Sequence, residues 1–82
     1  MKIYYHGTSK ENSESILEEG FRKGSWFAMH LEDAFFYGGP YIFEVEMDID
    51  KEELTYDWQF WVSIPISPER IRRHYHLILE ES

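Results

Sequence analysis

The chain has 82 residues, which gives room for one domain, residues 1–82, with a small core. Its formal charge is −8, from 16 acids against 8 bases, which opposes direct contact with nucleic-acid phosphates and fits ordinary solubility or docking on a basic partner. With no cysteine, no apolar run near the ~20 residues of a membrane span and no leader in Met1-Lys2-Ile3-Tyr4-Tyr5, the expectation is a cytoplasmic protein without disulfides or membrane contact.

Lys2 to Tyr5 predicts a short strand. Thr8 or Ser9 then caps a helix running to about Glu19, with Ile16 and Leu17 on its inner side and Gly20 as its stop. Phe21 packs back, Gly24 makes a turn, and Ser25 to Ala28 reads as a strand. A second helix covers Leu31 to Tyr37, with Glu32 and Asp33 in the turn where the macrodipole favours acids. Gly38-Gly39-Pro40 ends it. Tyr41 to Met47 alternates, with Ile42, Glu44 and Glu46 on one side and Tyr41, Phe43, Val45 and Met47 on the other. Trp58 to Val62 is another strand, Pro65 and Pro68 bracket a turn, and Ile71 to Leu79 alternates with Ile71, Tyr75, Leu77 and Leu79 on one parity. The order β-α-β-α-β-β-β makes the class α+β.

Aromatic residues form 18% of the chain, enough to supply most of a small core and to line a concave site as well. The acids Glu44, Glu46, Asp48, Asp50, Glu52, Glu53 and Asp57 cluster, with Lys51 the only base among them, and read as a solvated strand edge and turn. Of the four histidines, His74 and His76 belong to an exposed strand face and offer no third ligand for a metal, so no metal site is expected. His30 reads as a capping or loop residue. His6 differs: it ends a strand, and the glycine after it allows a ligand to approach the backbone.

Four segments in order resemble the ADP-ribosyltransferase superfamily, in the branch with His in the first strand and of the small bacterial and phage type. They are Tyr4-Tyr5-His6-Gly7-Thr8-Ser9 with Ile16-Leu17-Glu18-Glu19-Gly20-Phe21; Gly24-Ser25-Trp26-Phe27-Ala28 with Leu31-Glu32-Asp33-Ala34-Phe35-Phe36-Tyr37; Tyr41-Ile42-Phe43-Glu44-Val45-Glu46; and Ile64-Pro65-Ile66-Ser67-Pro68-Glu69-Arg70-Ile71. The resemblance covers roughly Ile3 to Ile71. It implies a minimal fold of two small, bent β-sheets with two short helices, and NAD as substrate. His6, Gly7, Thr8, Trp26 and Tyr37 would bind it: His6 on the nicotinamide ribose, the Gly7 backbone on the carboxamide, Trp26 and Tyr37 on either face of the ring.

In the family, a carboxylate steadies the oxocarbenium-like state as the glycosidic bond breaks. The resemblance assigns that place to Gln59, so the implied catalytic set is His6, Tyr37 and Gln59, with an amide where a charge is usual. Asp57 lies two residues earlier on the same strand face. Three functions follow as expectations: transfer of ADP-ribose from NAD to a macromolecular acceptor; a catalytically dead, acidic module or inhibitor of phage or mobile-element type, such as an anti-CRISPR, docking on a basic, nucleic-acid-binding protein; or a minimal NAD-glycohydrolase or ADP-ribose-binding module.

Overall fold

The computed structural model of the protein describes residues 2–48 and 59–78. The expected strand at the start continues through His6 and Gly7, giving β1 (Lys2–Thr8). Helix α1 (Lys10–Glu19) starts at Ser9, whose Oγ accepts the Asn12 N–H at 3.3 Å, and stops at Gly20, where φ is +80°. Then come β2 (Trp26–Ala28), α2 (Leu31–Gly38), β3 (Tyr41–Met47), β4 (Gln59–Trp61) and β5 (Ile71–His76), the last entered through one 3₁₀ turn at Pro68–Arg70. His30 stands at the N-cap of α2 without a side-chain capping bond. Trp58 and Leu79, assigned to strands from sequence, lie outside the described residues, as do Asp50 to Asp57 of the acidic stretch.

The class is α+β, but the described strands form one sheet where the resemblance implies two. Their order is β4-β2-β1-β3-β5, antiparallel throughout. Central β1 joins the halves unequally. It pairs with β3 along its whole length, from Lys2↔Met47 to Thr8↔Tyr41, yet with β2 only at Tyr5↔Ala28.

Both faces of the sheet are covered. One carries Tyr4, Phe27, Phe43, Val45, Met47 and Phe60, closed by Phe21 and Val62 with Ile16 and Ile66 beside them. Phe27 and Phe60 stack at 5.8 Å, and Tyr4 meets Phe60 edge-on at 4.9 Å. The other face carries Ala28 and Ile42 beneath Ala34 of α2, with Tyr5, Trp26, Phe35 and Tyr75 around them.

Two expected side-chain placements change. Leu17, placed on the inner side of α1, is 42% exposed, because the buried stripe of that helix runs through Ser13 and Ile16 towards Gly20. Ile71 and Tyr75 share a parity in sequence but pack into different faces of the core. A β-bulge is the cause: Glu44 pairs with Arg73 and Val45 with Ile71, so Arg72 is the extra residue and the strand changes face across it. Tyr75 then reaches Glu44, donating its O–H at 2.7 Å, while Arg72 pairs with Glu46 at 2.6 Å.

Helix α2 lies on β1 backbone to backbone. A Cβ on Gly7 would overlap the Ala34 carbonyl, and one on Gly38 would overlap the Gly7 carbonyl and come within 2.7 Å of the Trp26 ring. Both contacts are with backbone, which cannot swing aside, so glycine is required by space alone. Gly7→Ala is therefore expected to lower the unfolding free energy by about 3 kcal/mol in urea denaturation, the upper end for overpacking. A loss below about 1 kcal/mol would mean that α2 lifts from the sheet easily.

Candidate functional site

A cavity of about 450 Å³ opens beside β1 and β2 just past the end of their short ladder. His6, Gly7 and Thr8 line it from β1, Ser25 and Trp26 from the start of β2, Tyr37 and Gly38 from the end of α2, and Asn12, Ser15 and Ile16 from α1, with Phe21 and Arg22 beyond that helix. Those α1 positions follow the three- and four-residue spacing of one helix face.

His6 joins the two strands where the ladder ends. Its Nδ1–H donates to the Trp26 carbonyl at 2.7 Å, so a side chain takes an acceptor that a ladder partner would otherwise use. The ring is 8% exposed and sits edge-on to Phe21 at 5.0 Å, with Trp26 and Phe27 each at 5.6 Å. Burial among these rings pushes its pKa below the ordinary histidine value, and the bond to Trp26, which favours the charged form, only partly opposes this. At neutral pH the ring is thus uncharged with its proton on Nδ1. Nε2 has no protein partner, and no side-chain N or O among the described residues is sealed off without one, so Nε2 is the acceptor that opens to the cavity.

Trp26 is half-buried, its ring against Gly38, whereas Tyr37 is 70% exposed at the cavity edge. Together they put two aromatic rings beside one neutral imidazole. The expected binding residues His6, Gly7, Thr8, Trp26 and Tyr37 all line this one cavity.

Gln59 does not line it. That residue pairs with Ala28, which packs beneath α2, and Ala28 pairs in turn with Tyr5. The β4 residue opposite Trp26 is Trp61. Asp57 lies outside the described residues. Glu44 and Glu46 are committed to Tyr75, Arg73 and Arg72 on the β3–β5 side of the sheet. Among the described lining residues there is no Asp or Glu, and Arg22 is the one permanent charge.

His74 and His76 stand on edge strand β5, over Phe43 at 6.0 Å and Tyr41 at 4.4 Å, away from the cavity. No cluster of three or more metal-ligating side chains occurs among the described residues, and no helix among them is long and apolar enough to cross a membrane. Sequence reasoning missed Asn12, Ser15, Ser25 and Arg22. The spacing of Asn12, Ser15 and Ile16 along α1 was the available signal for the first two. No known family model matches the chain, and no curated protein is significantly similar to it in sequence.

The lowered pKa of His6 gives a pH dependence of defined sign. A folded value below the unfolded one means that the unfolded chain binds more protons in that window, so stability falls as pH drops below about 6.5. Chemical denaturation between pH 7.5 and 5 should show this decline, and His6→Gln should flatten it. Glu46, held low by Arg72, acts in the same direction only below the carboxylate range, so the two windows separate. An equal decline in His6→Gln would place the titrating group elsewhere.

Proposed function

We propose that this chain is an ADP-ribosyltransferase-like domain that binds NAD through its nicotinamide end. The observation that carries the reading is the gathering of His6, Gly7, Thr8, Trp26 and Tyr37, drawn from two strands and a helix, around one cavity. Each has a role its chemistry fits. Nε2 of neutral His6 accepts a hydrogen bond from a ribose hydroxyl. Gly7, packed against α2 on its α-carbon side, lines the cavity with strand backbone that would hold a carboxamide. Trp26 and Tyr37 offer flat faces to a flat, cationic ring.

Transfer of ADP-ribose to a macromolecular acceptor is the activity this resemblance implies. A second reading is favoured by one observation: the described cavity lining holds no carboxylate to oppose the positive charge that forms as the glycosidic bond breaks. On that reading the domain binds NAD, turns it over slowly or not at all, and acts as an acidic module on a basic partner, in keeping with its charge of −8.

Calorimetry with NAD and nicotinamide tests the binding. Trp26→Ala and Tyr37→Ala should each weaken it by about 1–3 kcal/mol through lost stacking. His74→Ala and His76→Ala should leave it unchanged, and absence of binding at millimolar NAD would defeat the reading.

Nicotinamide release tests the choice between transfer and binding. Because Gln59 lies off the cavity, Gln59→Glu should change the rate less than about threefold. A rise of tenfold or more, about 1.4 kcal/mol of barrier, would put residue 59 beside the reacting carbon and favour the transferase.

A further inference from the structure

The charge pattern of the cavity bears on how far along a nicotinamide nucleotide recognition extends. Acids outnumber bases two to one in this chain, yet the described lining residues include no acid and one arginine, Arg22. The other polar groups around it are Thr8, Asn12, Ser15 and Ser25, all uncharged. Arg72 and Arg73 are engaged by Glu46 and Glu44. Among the described residues, the Arg22 guanidinium has neither an ion pair nor a side-chain hydrogen bond.

The backbone of Arg22 is held. Ser25 donates twice to its carbonyl, from N–H at 3.0 Å and from Oγ at 2.7 Å, closing a turn in which Gly24 takes φ +90°. Gly24 donates to Val62 at 2.8 Å and Val62 donates to Ser25 at 3.0 Å, while Phe21 and Ile66 exchange two bonds of 2.8 Å. A planar guanidinium on a pinned turn, carried by a residue that lines an acid-free cavity, is suited to an anion with several oxygens.

We propose that Arg22 binds the 5′-phosphate of a nicotinamide mononucleotide unit, and that recognition ends at that phosphate, with the adenylate half of NAD outside the cavity. This rests on the nicotinamide reading above. About 450 Å³ lies at the small end of ligand sites, and NAD is roughly twice the size of the mononucleotide. No second cation among the described lining residues is available for a second phosphate, and α1, which lines the cavity, also exposes Glu11, Glu18 and Glu19, whose charge opposes further negative charge nearby.

Calorimetry at one ionic strength, with nicotinamide riboside, nicotinamide mononucleotide and NAD as probes, tests the proposal on the full chain. In the wild type the mononucleotide should bind about tenfold more tightly than the riboside, and NAD within about threefold of the mononucleotide. Arg22→Gln should remove the mononucleotide's advantage and leave the riboside's affinity unchanged. Arg22→Lys, which keeps charge without the fork, should fall between. Arg22 is exposed and its turn is held by backbone bonds, so both variants should fold, which circular dichroism verifies. Riboside and mononucleotide binding equally, or NAD binding more than tenfold better than the mononucleotide, would overturn the proposal while leaving the nicotinamide reading intact. If none of the three binds, the nicotinamide reading itself fails, and this inference with it.

Discussion

The contact between Gly7 and α2 is the constraint on which the rest of the site depends. A helix normally rides on a sheet through side chains, which hold the two backbones well apart. Here the Ala34 carbonyl lies against the Gly7 α-carbon and the Gly38 α-carbon against the Gly7 carbonyl, with no side chain between. This closeness sets the end of α2 beside the end of β1, so Tyr37 and Gly38 reach the same cavity as His6 and Thr8. It also presses the helix end onto Trp26, tying the helix to β2. One short-range packing requirement thus positions groups that lie far apart in sequence.

The second determinant is the early end of the β1–β2 ladder. β1 is bonded to β3 along its whole length, which holds it straight and central, but it meets β2 at a single pair. β2 is anchored instead to β4, through Trp26↔Trp61, Phe27↔Phe60 and Ala28↔Gln59. Backbone groups left where a ladder stops need partners. The Trp26 carbonyl finds one in Nδ1 of His6. The sheet therefore stays continuous while a cavity opens between two of its strands, and the bond that closes the gap also fixes the tautomer of the imidazole facing it.

Most of the elements were legible because their punctuation is local. Ser9 and Gly20 bound α1, Gly38 and Gly39 end α2, and the alternation of Tyr41 to Met47 separates the two faces of β3. Three features had no such signal. The bulge at Arg72 moves Ile71 to the opposite face from Tyr75 without any glycine or proline to mark it. Leu17 is apolar, yet the buried stripe passes to one side of it and includes Ser13, whose Oγ is satisfied by the Lys10 carbonyl at 2.6 Å. Gln59 follows from counting along the chain, but its place depends on register with Ala28, which counting alone does not give. The same holds for Arg22: a charged residue after a core phenylalanine reads as surface until the turn closed by Gly24 and Ser25 brings it beside Trp26.

His6 sits where local packing alone would choose another residue. Its neighbours Phe21 and Phe27 lie within ring contact, and Phe43 is its partner across β3. A phenylalanine there would extend that aromatic cluster without the desolvation of an imidazole and without a proton-dependent loss of stability. The Trp26 carbonyl would then need another donor, so the histidine is partly structural. That need accounts for Nδ1 alone. An alcohol or amide could also satisfy one carbonyl, whereas the imidazole adds a second, unprotonated nitrogen turned toward the cavity. Here one residue departs from what packing favours, and its surplus group faces a cavity lined by Gly7, Trp26 and Tyr37, which is the group that the proposed nicotinamide site puts to use.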